Sequence, residues 1–357
     1  MFDKEFDVSG RLVGHNHPTY FIADIAANWD GSLERAKDLI CLAAEAGADA
    51  AKFQNFKAET IISKHSFENM GGKLTHQKKW KKSVFDVYND ASLPWEWTEE
   101  LKNTCDEQGI HYFTTPYSLE SIDFLKEYVS AWKLGSGDIS WHEHIDKIAS
   151  EDLPFFIATG ASTIKEVDMA IKVANKKTKK LLLMQCNTNY TASLENFRHI
   201  NLSVLNEYSK RFPGLILGLS DHTPGHSTVL GAVTLGARAV EKHFTDDTSR
   251  DGPDHKFSMD PRTWKEMVDR TRELEFSMGD GVKRIQDNES ESYVVQRRSI
   301  HAKKSLKMGH IITADDLVML RPELENSFKP YEANELIGKE LFEDIDENQC
   351  IKRNQVK

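Results

Sequence analysis

Cysteine is scarce: Cys41, Cys105, Cys186 and Cys350 stand alone among 357 residues, widely and irregularly spaced, with no CxxC pair. That excludes a disulfide-built scaffold and a cysteine-ligated zinc fold, and predicts four reduced thiols. Long apolar runs are missing too. The first twenty residues carry Asp3, Lys4, Glu5 and Asp7, so neither a signal peptide nor a spanning helix is expected there, and the chain is read as cytosolic with no membrane partner. No GxGxxG follows an apolar run, which argues against a dinucleotide-binding open sheet. Positive charge is in deficit, with a formal net charge of −10. General nucleic-acid binding is therefore not expected, and any anionic ligand must be held by a local group of cations.

What the chain does have is a repeated unit: a short run rich in Val, Ile, Leu, Phe or Ala, a polar or Gly-containing turn, then a stretch with apolar residues three and four apart. Strands are expected at 20–26, 50–54, 112–114, 131–134, 155–158, 181–185, 215–217 and 239–241. The first helix shows the pattern: Ser32 as N-cap, Leu33, Ala36, Ile40, Ala43 and Ala44 on one face, and Gly47 at the C-terminal left-handed position. Eight such units predict a (β/α)8 TIM barrel, with a doubly wound sheet as the rival architecture. Residues ahead of Tyr20, turning at Ser9-Gly10, are expected to form a hairpin at the barrel floor. Two segments break the rhythm. Residues 57–94 are polar, rich in lysine and too long for a βα connection, so they are a candidate lid. The run MGDGVKRIQDNESESY at 278–293 has the composition of a connection. The expected division is a barrel at 1–283, a linker at 284–293 and a small module at 294–357.

Functional groups of such a barrel belong at the C-terminal ends of its strands. Lys52 and Gln54, Thr115, Lys133 with Ser136 and Asp138, Tyr190, Ser220 with Asp221-His222, and Glu241 with His243 all fall there. A lone strand-end histidine is more often structural than a ligand, but His222 and His243 come from neighbouring strands. Two neutral imidazoles meeting there suit a first-row divalent metal, with a carboxylate or water completing the shell. Lysines within apolar strands are costly unless paired, so a purely structural reading of Lys52 or Lys133 needs a partner such as Asp24 or Asp138. A functional reading makes them, with nearby hydroxyls and glycine backbones, a seat for phosphate or carboxylate.

IADIAANWDGS (22–32), AKFQ, FTTPYS, WKLGSGD, ATG, QCNTNY, GLSDHT, VEKHFT and GPDHKFSMDP, followed by RRSI and LRP, resemble the sialic acid synthase family, the phosphoenolpyruvate-dependent nonulosonic acid synthases. The resemblance spans nearly the whole chain and implies that residues 294–357 form an antifreeze-like β-clip (SAF) domain. It implies condensation of phosphoenolpyruvate with an N-acylated hexosamine-type aldehyde, N-acetylmannosamine, its 6-phosphate or a diacetamido-trideoxyhexose, to give a nine-carbon 2-keto acid and phosphate. By the same resemblance His222 and His243 match metal ligands, for Mn or else Mg or Co. Lys52, Thr115, Lys133, Ser136, Thr188 and Ser220 match phosphoenolpyruvate contacts; Gln54, Tyr190 and Asp254 match sugar contacts. Asp138, Glu241 and Asp24 match acidic catalytic positions, and Arg321 matches an arginine delivered into the partner barrel of a domain-swapped homodimer. Asp24 and Asp138 stand where the family commonly has Glu, Trp29 where it often has His, Ala158 where a Ser is common. The acceptor-side stretches CNTNYT and RPELENSFKP also depart from its pattern. A related synthase acting on a phosphorylated sugar, a metal-dependent aldolase and a non-enzymatic sugar-binding scaffold are the rival functions.

Overall fold

The computed structural model describes residues 2–70, 77, 78 and 80–357. The chain opens with an antiparallel hairpin, β1 (Glu5–Val8) and β2 (Arg11–Gly14). Its two-residue turn places Ser9 at φ 46° and Gly10 at φ 97°, the left-handed pair that a tight hairpin needs, and Asp7 accepts the Gly10 N–H at 3.0 Å. Eight parallel strands follow: β3 (Tyr20–Asp24), β4 (Ala50–Asn55), β5 (His111–Pro116), β6 (Trp132–Leu134), β7 (Phe155–Ala158), β8 (Leu181–Cys186), β9 (Ile216–Asp221) and β10 (Ala237–His243). They form a closed barrel in which β10 returns to β3, with His243 paired to Asp24 in register. This is the TIM barrel that the eight-fold sequence rhythm predicts.

Strands buried on both faces need two apolar sets, and the chain supplies them. Outward-facing Phe21, Phe53, Tyr112, Trp132 and Leu183 pack beneath the surrounding helices. Helix Leu33–Glu45 is typical of that outer layer: Ser32 Oγ accepts the Arg35 N–H at 3.3 Å, Ala36, Leu39, Ile40 and Ala43 are buried, and Gly47 lies at φ 91°. Inward-facing Tyr20, Ile22, Phe113, Phe156, Leu182 and Ile216 form a second cluster, and Phe6, Val8 and Val13 of the hairpin join it. The hairpin thus seals the barrel floor. Arg11 fastens it by pairing with Asp49, which also accepts the Phe21 N–H at 2.8 Å.

Two strands run further than their apolar residues indicate. β9 continues through Ser220 and Asp221, and β10 through Lys242 and His243, because these residues stay paired in the ladder: Ser220 with Glu241, Asp221 with Lys242. His243 is therefore a strand residue, not the first residue of a loop. The segment expected as a polar lid carries helices Ala58–Ile61, Lys64–Asn69 and Val84–Asp90; its residues 71–76 and 79 lie outside the described residues.

Contacts divide the chain into Met1–Met278 and Gly279–Lys357. The second unit has its own core of Ile300, Leu306, Ile312, Phe328, Leu341 and Ile351, around the antiparallel pair β11 (Ser299–Ala302) and β12 (Leu317–Leu320). Residues 290–293 of the expected connection belong to a short helix, Ser290–Val295, that runs on into the expected module. No described helix is long and apolar enough to cross a membrane.

Candidate active site

Two-residue alternation carries each inward column of side chains from floor to mouth. On β3 the column is Tyr20, Ile22, Asp24; on β4 it is Ala50, Lys52, Gln54; on β10 it is Ala239, Glu241, His243. The apolar members belong to the floor cluster, and the polar ones line a cavity of about 440 Å³ at the C-terminal end of the barrel. Thr115, Lys133, Ser220 and His222 reach it by the same step on their own strands or just past them.

Four charged groups meet at its base, none more than 7 % exposed. Lys52 Nζ donates to Asp24 Oδ2 at 2.7 Å, and Lys133 Nζ to Glu241 Oε1 at 3.0 Å. Ser220 Oγ also donates to Glu241 Oε1, at 3.2 Å, and Gln54 Nε2 to Asp24 Oδ2, at 3.2 Å. Lys52 lies 3.9 Å from Glu241, which links the two pairs. Burial alone would raise Glu241, but the lysines overcome it and hold the carboxyl down at about 2. Burial pushes Asp24 up while Lys52 pulls it back; Lys52 itself ends above its ordinary value because Asp24 and Glu241 outweigh its desolvation. Further up the walls, burial pushes both Asp138 and Asp254 up to about 6. Asp138 Oδ2 has no hydrogen-bond partner among the described residues, whereas Asp254 accepts the Ala27 N–H at 3.2 Å.

The two imidazoles face each other with ring centroids 5.3 Å apart. His222 Nδ1 sits 2.8 Å from the Asn187 carbonyl, so it carries the proton and leaves Nε2 with a free lone pair. Burial, with His243 beside it, lowers His222 to about 4; burial and Lys52 lower His243 to about 3. Both rings are therefore neutral at pH 7. Tyr190 stacks edge-on to His222 at 4.3 Å, and Phe257 packs 4.8 Å from His243.

Comparison with known proteins then matches residues 39–283 to the NeuB family and residues 297–357 to the SAF domain. The chain belongs to the NeuB family. It is 35% identical over 337 residues to the N,N'-diacetyllegionaminic acid synthase of Legionella pneumophila, covering 92% of each chain. To the pseudaminic acid synthase of Campylobacter jejuni it is 33% identical over 341 residues, 94% of this chain and 96% of the other. Among solved structures, the N-acetylneuraminic acid synthetase of Leptospira borgpetersenii in complex with citrate matches with a TM-score of 0.70 at 26% identity, over 82% of this chain and 95% of that one.

In this NeuB barrel most residues singled out in the sequence line the one cavity: Asp24, Lys52, Gln54, Thr115, Lys133, Ser136, Asp138, Tyr190, Ser220, His222, Glu241, His243 and Asp254. Two do not. Thr188 is half-buried beside the cavity, where its methyl packs so closely on Gly160 that a Cβ there would lie 2.4 Å away; the Gly160 N–H donates to Ser136 Oγ at 2.9 Å. Arg321 belongs to the second unit, where it is exposed and donates to Gln296 Oε1 at 2.7 Å. The NeuB site also has walls that the motifs do not reveal. Ile61, Ile62, Phe67, Val87 and Tyr88 from the segment read as a polar lid line the cavity, as does Phe56; Tyr117 and Cys186 join them from within the FTTPYS and QCNTNY motifs. Phe56 ties this wall together, 5.5 Å from Tyr88 and 5.7 Å from Tyr117.

A divalent metal fits what these residues offer. Two neutral imidazoles converge, the His222 tautomer is fixed by a carbonyl, and His243 Nδ1 is buried without a partner among the described residues. Among the described residues no group of three or more His, Cys, Asp or Glu is arranged to hold a metal alone. The imidazoles would thus supply part of a shell that substrate and water complete.

Proposed function

We propose that this barrel condenses phosphoenolpyruvate with the open-chain aldehyde of an N-acylated hexosamine-type sugar, N-acetylmannosamine or a diacetamido-trideoxyhexose, giving a nine-carbon 2-keto acid and phosphate. The observation that carries the reading is the meeting of Lys52, Lys133, His222, His243 and two buried carboxylates in one enclosed mouth of a NeuB-family barrel. Names of relatives in the legionaminic and pseudaminic acid series support the product class.

In this reading Lys52 and Lys133, with Thr115, Ser136, Thr188 and Ser220, hold the carboxylate and phosphate of phosphoenolpyruvate. Gln54, Tyr190 and Asp254 orient the sugar, and the aromatic wall excludes water from the reacting carbons. His222 and His243 would hold Mn or a similar divalent ion, which supplies Lewis acidity toward the aldehyde oxygen. Phosphoenolpyruvate C3 forms the new bond to the aldehyde carbon, whose oxygen takes a proton. Water then adds at C2, giving its proton to a carboxylate, and the C2–O bond to phosphate breaks to leave the ketone. Asp138, raised toward neutrality and unpartnered, is better matched to accept and return a proton than Glu241, which is committed to the lysines. The proposal includes a cytosolic homodimer that exchanges SAF units, so that Arg321 of one copy serves the barrel of another.

The deciding experiment is phosphate release from phosphoenolpyruvate by metal-stripped protein, with and without Mn2+, across N-acetylmannosamine, its 6-phosphate and 2,4-diacetamido-trideoxyhexoses. Release that needs both the ion and one sugar is the expected result. No release with any of them would overturn the proposal.

A further inference from the structure

Directly behind the two histidines lies a buried ion pair to which the proposed chemistry gives no task. Asp221 and Lys242 immediately precede His222 and His243 in the chain and sit opposite each other in the β9–β10 ladder. Alternation turns both side chains away from the cavity, and each is only 1 % exposed. Lys242 Nζ donates to the Asp221 carboxylate and to the Thr223 carbonyl. Asp221 also accepts from Thr223 Oγ1 and Thr228 Oγ1, both at 2.7 Å, and from the Thr223 N–H at 3.3 Å. The carboxylate thus gathers four donors, one of them from the first turn of helix Ser227–Thr234.

The bonds span the very stretch that aims His222. One lysine grips the chain on both sides of that residue, at the Asp221 side chain and the Thr223 carbonyl, while its own backbone leads into His243. Only the ring orientation of His222 is left open by this arrangement, and the Asn187 carbonyl fixes it. An apolar pair of similar volume would fill the same space at lower desolvation cost, so a role in packing does not call for charge here.

We infer that Asp221 and Lys242 are positioning residues that set the separation and aim of His222 and His243. The inference rests on the reading of those histidines as metal ligands. Removing the pair weakens divalent-ion binding while leaving the phosphoenolpyruvate seat, built on Lys52–Asp24 and Lys133–Glu241, in place.

The test is Mn2+ titration of full-length, substrate-free protein, followed by electron paramagnetic resonance, with KM for phosphoenolpyruvate measured alongside. Lys242→Met strands a buried carboxylate and is liable to unfold, so the decisive variant is Asp221→Asn/Lys242→Met, which removes both charges at similar volume. The folded double variant is expected to bind Mn2+ at least about tenfold more weakly, with KM for phosphoenolpyruvate within about twofold of the native value at saturating Mn2+. Native Mn2+ affinity in the folded double variant would overturn the inference and leave the metal reading standing. If the native chain itself binds no Mn2+, the metal reading fails and takes the inference with it.

Discussion

The floor and the mouth of this barrel are built by the same strands, from side chains two residues apart, and share almost no chemistry. Below, Tyr20, Ala50, Phe113, Ala131 and Ala239 meet the hairpin in an apolar plug; above, Asp24, Lys52, Thr115, Lys133 and Glu241 surround a cavity. The floor holds by excluded water and close packing, so it tolerates any well-fitting apolar residue. The mouth holds by mutual neutralisation of groups that would be prohibitive to bury singly. One end is interchangeable in identity and demanding in volume; the other is the reverse.

The sharpest way to break that contrast is at the mouth. Lys52→Met or Lys133→Met strands the Asp24 or Glu241 carboxylate and should cost about 3–5 kcal/mol in denaturant-induced unfolding, while lowering phosphate release by the protein that remains folded about 10³-fold; retention of a tenth of the native rate in that folded fraction would mean that the charges serve only the fold. At the floor, Phe113→Ala should cost about 3–5 kcal/mol in denaturant-induced unfolding and leave turnover of the protein that remains folded near native. Loss of turnover there would show the two ends to be coupled.

Asp138→Asn tests which acid the mouth uses. If Asp138 accepts a proton, the native rate falls as pH drops through about 6, and the variant loses both that limb and about 100-fold in rate. The stability effect has the opposite sense: a carboxyl raised in the folded state contributes stability below its ordinary 3.8 that is lost as pH rises through about 6, so melting of the variant should depend less on pH across that window. Arg321→Ala asks whether the mouth, unlike the floor, is completed from outside its own barrel. About a tenfold fall in activity with Mn2+ binding unchanged is expected, as for one charge-assisted hydrogen bond; an unchanged rate removes the exchanged arginine. The smallest effect belongs to Gly10→Ala, about 1 kcal/mol of unfolding stability for forcing a side chain to φ 97°.

The barrel was legible because its strands are buried on both faces and read as short apolar runs between helical periodicities. Strand ends were less so: Ser220, Asp221, Lys242 and His243 look like loop residues, and only pairing across β9 and β10 keeps them in the sheet. The site was legible where chemistry is rare in a strand. A buried lysine demands a partner, and Lys52 finds Asp24, one of the two carboxylates the sequence offered; Lys133 finds Glu241 from the far side of the barrel, not Asp138 five residues away, because Glu241 points inward at the same height. The aromatic and aliphatic wall was not legible. Ile62, Val87 and Tyr88 are ordinary residues in a polar segment, and only the path of that segment brings them over the cavity.

Closure of the sheet has a consequence for how such a molecule comes into being. Asp24, Lys52, Lys133 and Glu241 belong to the first, second, fourth and eighth strands, and the last of these joins the first only when His243 comes into register with Asp24. A nascent chain halted after the fourth strand would hold two ammonium groups against a single carboxylate, an imbalance that discourages it from settling as a half-barrel. The eighth strand brings the missing negative charge and the second imidazole together, so the four-charge ring balances only when the sheet closes.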